Sequence, residues 1–131
     1  MKNAGVNPSQ IDWFYAHGTG SSANDLAESK AIQSLFNSSG MDSKTAAVSS
    51  TKSIHGHTLG ACGALESVLS IMSLQKNLIL PTFNTKEIDP AIQLDVVLKP
   101  REKKLNMILK NSLGFGGINA SVILTKTRGL N

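Results

Sequence analysis

The chain has 131 residues, 13 Lys and Arg against 9 Asp and Glu, a formal net charge of +4, 40% hydrophobic residues and one cysteine. That length suits a single domain, 1–131, able to bury about two-thirds of the surface its unfolded chain exposes, and the composition excludes disordered, collagen-like and coiled-coil classes. One cysteine closes no internal disulfide, no apolar run reaches the ~18 residues of a membrane span, and Met1–Gly5 lacks the apolar core of a signal peptide, so a cytoplasmic location is expected.

In chain order, Pro8 to Gln10 reads as a turn and Ile11–Ala16 as a mostly buried strand. A small, polar loop from His17 to Asn24 follows. Asp25 and Glu28 have capping-box spacing before a helix that ends near Asn37, with Leu26, Ile32, Leu35 and Phe36 on its apolar side. Ala46–Ser50 is a short strand, and Thr51–His57 a second dense loop. From Thr58 to Asn77 a helix begins with small residues (Gly60, Ala61, Cys62, Gly63, Ala64) and continues apolar over most of its circumference. Only Gly63, Glu66, Ser67, Ser70, Ser73 and Asn77 form a small or polar stripe. Such a helix should be covered on most sides. Leu78–Leu80 is a strand closed by Pro81, and the segment to Pro100 is extended. Leu105–Ser112 and Asn119–Lys126 are strands flanking a glycine loop, Leu113–Gly117, and should pair antiparallel. The order is βαβαβ with an extra strand, an α/β fold.

Charge is uneven: from Val97 onward Lys99, Arg101, Lys103, Lys104, Lys110, Lys126 and Arg128 face only Glu102. This patch suits an acidic partner, or is a solvated rim around an edge strand. Nucleic acid is disfavoured, because Trp13, Phe14 and Tyr15 lie far from it in sequence and Phe83 and Phe115 are isolated.

Three polar loops each follow a strand, and in an open α/β sheet such loops converge on one crevice. That would bring His17, His57 and Lys52 together. A neutral imidazole donates one hydrogen bond, so two aimed at one carbonyl oxygen would stabilise an enolate or oxyanion, with the lysine tuning the charge. Alternatively, both histidines satisfy backbone groups in tight loops. A zinc triad of His17, His55 and His57 lacks a carboxylate or cysteine at familiar ligand spacing. Cys62, about 140° around a helix from His57, should not face it and reads as a small core residue. Gly114–Gly117 precede a strand rather than a helix, which is not a phosphate cradle. Glu28 is either the capping-box carboxylate or a buried partner for Lys52. Glu66 must pair, bind a cation or reach solvent.

Tyr15-Ala16-His17-Gly18-Thr19-Gly20, with Asp25 and Glu28 downstream, resembles the first histidine motif of the elongating β-ketoacyl-[acyl-carrier-protein] synthases. Ser50 to Ala61, STKSIHGHTLGA, resembles their lysine and second-histidine motif, and Asn111 to Ala120, NSLGFGGINA, their C-terminal glycine loop. The resemblance covers only the family's C-terminal half. It implies half of a thiolase-like fold, a mixed sheet with the small-residue helix buried at the centre of the layered pair.

The resemblance implies decarboxylative condensation of a malonyl thioester with an acyl thioester in fatty-acid or polyketide synthesis, with no cofactor or metal. His17 and His57 would bind the malonyl carbonyl. Lys52, paired with Glu28, would support His57. The Leu113 N–H, in the loop carrying Gly114 and Phe115, would supply half of an oxyanion hole. The nucleophilic cysteine lies on the family's N-terminal half, and Cys62 stands where alanine is usual. The chain alone is therefore expected to be inactive. Implied partners are an acidic acyl carrier protein, the N-terminal half of the synthase and, when intact, a second copy. The chain departs from the family at Leu113, where many members have a gating phenylalanine, and at Ser21, His55 and Ile118. The alternatives are a non-catalytic partner of the chain-length-factor type and a free-standing module that binds a carrier protein.

Overall fold

The computed structural model describes residues 1–126; Arg128, counted above in the basic stretch, lies outside the described residues. The central strands, Trp13–Tyr15 and Ala47–Ser49, are apolar or small on both faces, as expected where both are covered. In β1 (Trp13–Tyr15), Phe14 points to one side and Trp13 and Tyr15 to the other. Phe14 meets Ile32 and Phe36 of α1 (Ser22–Asn37), with the two phenyl rings edge-on at 5.4 Å. On the opposite face Trp13 and Tyr15 stack at 4.6 Å and pack with Leu74 of α3 (Cys62–Lys76), Ile79, Leu105 and Ile108. The result is three layers: α1, the sheet, α3.

The sheet has the order β4-β2-β1-β6-β7, adding β2 (Ala47–Ser49), β4 (Asp95–Val96), β6 (Met107–Leu113) and β7 (Asn119–Thr125). Strands β4, β2, β1 and β6 run parallel, with Tyr15 opposite both Ser49 and Lys110. As expected, β7 runs antiparallel to β6, from Met107 opposite Thr125 to Leu113 opposite Asn119. A separate two-stranded ribbon joins β3 (Leu78–Ile79) to β5 (Arg101–Glu102).

Several boundaries differ from those read in the sequence. Helix α1 starts at Ser22, where the Ser21 carbonyl accepts the Asp25 N–H, so Asp25 and Glu28 lie inside the helix and form no capping box. A short helix, α2 (Lys52–His55), interrupts the second loop. Leu59, at φ 51°, opens a single 3-10 turn, so α3 begins at Cys62 rather than Thr58. Asn77, in the left-handed region, ends α3, and its side-chain oxygen accepts the Leu105 N–H. Strands β4 and β5 were not foreseen; two residues are too few to show a period.

The orientation of α3 is the main correction. Its polar stripe faces inward, burying Glu66, Ser70 and Ser73 with Cys62 and Leu74. Val68, Ile71 and Met72, spaced to share one face, are exposed. The helix is thus covered on one side, not most sides, within this chain.

Candidate active site

Because β1, β2 and β6 are parallel, the loops after them leave the same edge of the sheet. Gly18 lets the first two meet. It adopts φ +45°, and a Cβ there would lie 2.4 Å from Ser50 Cβ, so only glycine fits against the β2 loop. Ser50 Oγ donates to the Gly18 carbonyl at 3.0 Å. The rings of His17 and His57 then meet edge-on, centroids 5.3 Å apart.

Glu28 fixes the His17 loop rather than a lysine. Its oxygens accept the backbone N–H groups of His17 (2.9 Å) and Gly18 (3.0 Å), and Asn111 Nδ2 of β6 donates to it at 3.0 Å. One carboxylate so ties α1, the β1 loop and β6 together. The expected Lys52–Glu28 pair is therefore replaced: Lys52 bonds Glu66, and both are buried. Glu66 pairs, the first of its expected outcomes, and it pairs twice, since Lys110 Nζ lies 3.0 Å from its second oxygen. Lys110 also donates to Ser112 Oγ.

His17 is buried, and its Nδ1 has no hydrogen-bond partner. Burial, and then Lys52, hold its imidazole below the usual value of 6.5, which keeps the ring neutral. His57 Nδ1 accepts the Leu59 N–H at 3.0 Å, so the proton of the neutral ring sits on Nε2 as a donor. Contrary to the helical-wheel expectation, Cys62 Sγ lies 3.3 Å from His57 Nδ1, because His57 precedes the helix; Thr58 N–H and O–H both donate to the sulfur at 3.2 Å.

His55 faces elsewhere. Its Nδ1 donates to the Gly56 carbonyl (2.7 Å) and its Nε2 therefore accepts the Thr51 hydroxyl (2.8 Å), which leaves Thr51 to accept from Tyr15. Burial raises the Tyr15 phenol well above its ordinary range, so it remains a donor. In the third loop the Gly114 N–H is spent on the Ile118 carbonyl at 2.9 Å, and Phe115 is fully exposed. Leu113, Gly114 and Phe115 leave the same sheet edge as the histidines, but no hydrogen bond among the described residues joins them to the rings.

The basic stretch shrinks on inspection. Lys110 is buried, and Arg101 forms a two-pronged pair with Asp95 (Nη2 to Oδ1, 2.9 Å), which raises the guanidinium further. A cavity of about 450 Å³ lies between α1 and residues 82–96, with Thr19, Ser21 and Lys52 in its wall and neither catalytic-candidate histidine lining it.

Two of the three loops thus place two imidazoles and a buried lysine at one edge of the sheet. Residues 1–86 match the family model for the C-terminal domain of β-ketoacyl synthases. The chain belongs to the β-ketoacyl synthase family. It is 41% identical over 127 residues to a 3-oxoacyl-[acyl-carrier-protein] synthase 2 of Coxiella burnetii, covering 96% of this chain and 30% of that one. The fold is similar to that of the ishigamide ketosynthase/chain length factor (TM-score 0.89, 35% identity, 96% of this chain and 30% of that one). It is also similar to a type II polyketide ketosynthase solved with its acyl carrier protein (TM-score 0.88, 31% identity, 96% and 30%). The chain therefore has the fold of the C-terminal part of these synthases and spans about 30% of the length of the relatives it matches. No described helix is long and apolar enough to cross a membrane.

Lys110 and the Cys62 contact escaped the sequence reading. The signal for Lys110 was its place directly after the apolar run Met107–Leu109 in a strand, where a solvated rim was the simpler reading.

Proposed function

We propose that this chain, one domain over residues 1–131, is the malonyl-binding part of a 3-oxoacyl-[acyl-carrier-protein] synthase. The observation that carries the reading is the approach of His17, just after β1, and His57, just after α2, with 5.3 Å between centroids. Their neutral rings offer N–H donors to the thioester carbonyl of a malonyl group. As the bond to the malonyl carboxylate breaks, its electron pair moves into the enolate, carbon dioxide leaves, and the two donors hold the negative oxygen. Losing one such donor costs about 2.7–4 kcal/mol of barrier. Lys52, fixed by Glu66, keeps positive charge behind the rings without adding a proton to His17.

The enolate carbon then attacks an acyl group held as a thioester on a cysteine, expelling the thiolate and giving a 3-oxoacyl thioester. Leu113 offers its backbone N–H to the acyl oxygen, in the loop with Gly114 and Phe115. By the family resemblance this cysteine lies on the N-terminal portion of the synthase, and Cys62, whose Sγ touches His57 Nδ1 and Thr58, stands where alanine is usual. The chain alone condenses nothing. Its partners are that N-terminal portion and an acidic carrier protein facing Lys99, Lys103, Lys104 and Lys126; the intact enzyme works in the cytoplasm as a homodimer. A chain-length-factor role has no chemical use for two facing imidazoles.

The test joins this chain to the N-terminal part of the Coxiella burnetii relative and supplies malonyl- and acyl-carrier protein. The joined protein should release carbon dioxide and form 3-oxoacyl product, and the chain alone should do neither. A folded, dimeric fusion with no product would remove the reading.

A further inference from the structure

Lys110 is 2% exposed in the buried middle of β6, opposite Tyr15 of β1. The proposed reaction uses Lys52 and gives Lys110 no part. Yet burying an ammonium is costly, and one lysine would already neutralise Glu66. Glu66 itself is fully buried on α3, so whichever oxygen Lys52 leaves free needs a donor or a cation of its own. Lys110 supplies a cation, its Nζ 3.0 Å from Oε2 as an ion pair without hydrogen-bond geometry, while Lys52 hydrogen-bonds Oε1. Both carboxylate oxygens are thus tied, from β6 on one side and α2 on the other. A carboxylate with one oxygen hydrogen-bonded and a cation 3.0 Å from the other has its orientation set from both sides.

We propose that Lys110 is a positioning residue, a tethered cation on Glu66 Oε2 that fixes the carboxylate so that Oε1 holds Lys52 behind His17. Its purpose rests on the condensing reading of the site, but its test does not. The groups that face His17 are Lys52 from α2, Glu28 from α1, Glu66 from α3 and His57 from the loop before the 3-10 turn. Lys110 acts on His17 through the Glu66–Lys52 pair.

The experiment follows the His17 ring by NMR across pH in the chain as it stands, with Lys110→Met and Lys110→Arg beside it. Methionine matches the lysine side chain as far as Cε and removes the ammonium. Lys110→Met should raise the His17 midpoint by roughly half a unit or more, the scale on which one buried cation acts on a neighbouring site. Lys110→Arg should restore the wild-type midpoint. An unchanged midpoint in Lys110→Met means the residue only fills space, and the proposal falls. Should Lys110→Met not fold, Lys110→Ala is melted in ethylammonium chloride and in choline chloride of equal concentration. A rise in melting temperature specific to the small amine supports a cation site on Glu66, and equal melting in both salts overturns it. No malonyl group enters either readout, so a silent fusion protein together with a shifted His17 would remove the condensing reading and leave this one standing.

Discussion

Lys52 and Glu66 form a buried ion pair between the start of α2 and the second turn of α3, with side-chain exposures of 3% and 0%. The pair fixes the lysine in the core, where its charge acts on His17, and makes the candidate site inseparable from the core. Glu66→Gln leaves Lys52 and Lys110 facing a neutral amide in the interior. It should cost about 3–5 kcal/mol of stability, measured by urea unfolding. Replacing the whole set, Glu66→Leu with Lys52→Met and Lys110→Met, should recover most of that loss. A single variant as stable as the parent would contradict the pairing.

The depressed His17 titration makes stability depend on pH. The folded state resists protonation, so the unfolded chain binds more protons once pH falls below the ordinary value of 6.5. Stability contributed by neutral His17 is complete above that value and declines as pH drops from 6.5 towards the lower folded value. Urea midpoints at three pH values across this window should fall in the parent and fall less in His17→Gln. Parallel curves would mean that the ring is not held neutral.

Gly18 is where the two histidine loops touch. Gly18→Ala combines a positive φ with a Cβ 2.4 Å from Ser50 Cβ. The variant should lose at least about 1–3 kcal/mol. It should also separate the rings, seen as loss of the His17–His57 cross-peaks in a nuclear Overhauser spectrum. A variant of parental stability with intact cross-peaks would show that the loop has another way to close.

The exposed face of α3 carries Val68, Ile71 and Met72, with Leu59 exposed in the turn before it. An isolated chain with this face open should bind a hydrophobic dye or self-associate. Val68→Gln with Met72→Gln should reduce dye binding without lowering the urea midpoint, since neither residue is buried. It should also abolish product formation by the fusion protein, where the N-terminal part is proposed to cover the helix. Undiminished activity would place the cover elsewhere.

How much was legible follows from where the physics is local. The three loops could be placed because each small, glycine-rich segment follows an apolar run, and parallel strands deliver such loops to one edge. His17, Lys52 and His57 were found in this way, and the β6–β7 pair followed from a short glycine loop. What could not be read depends on partners distant in the chain. Glu66 has three possible fates in the sequence until two lysines are seen to meet it, and a helix apolar over most of its circumference does not reveal that Val68, Ile71 and Met72 are the residues left open. The Cys62–His57 contact was lost to one backbone angle: Leu59 at φ 51° ends the helical phase on which the wheel depended. Glu28 had two plausible uses, and the backbone of the His17 loop took both of its oxygens.

The central claim is that His17 and His57 donate to one oxygen, and the most direct measurement is a titration of the histidine-labelled chain with a non-decarboxylating malonyl thioester analogue, followed in the nitrogen-15 spectra of the rings. The account predicts that the Nε2 signals of His17 and His57 move together along a single binding curve while His55, bonded to Thr51 and Gly56, stays fixed. Movement of one ring alone, or of neither while the analogue binds, would contradict it.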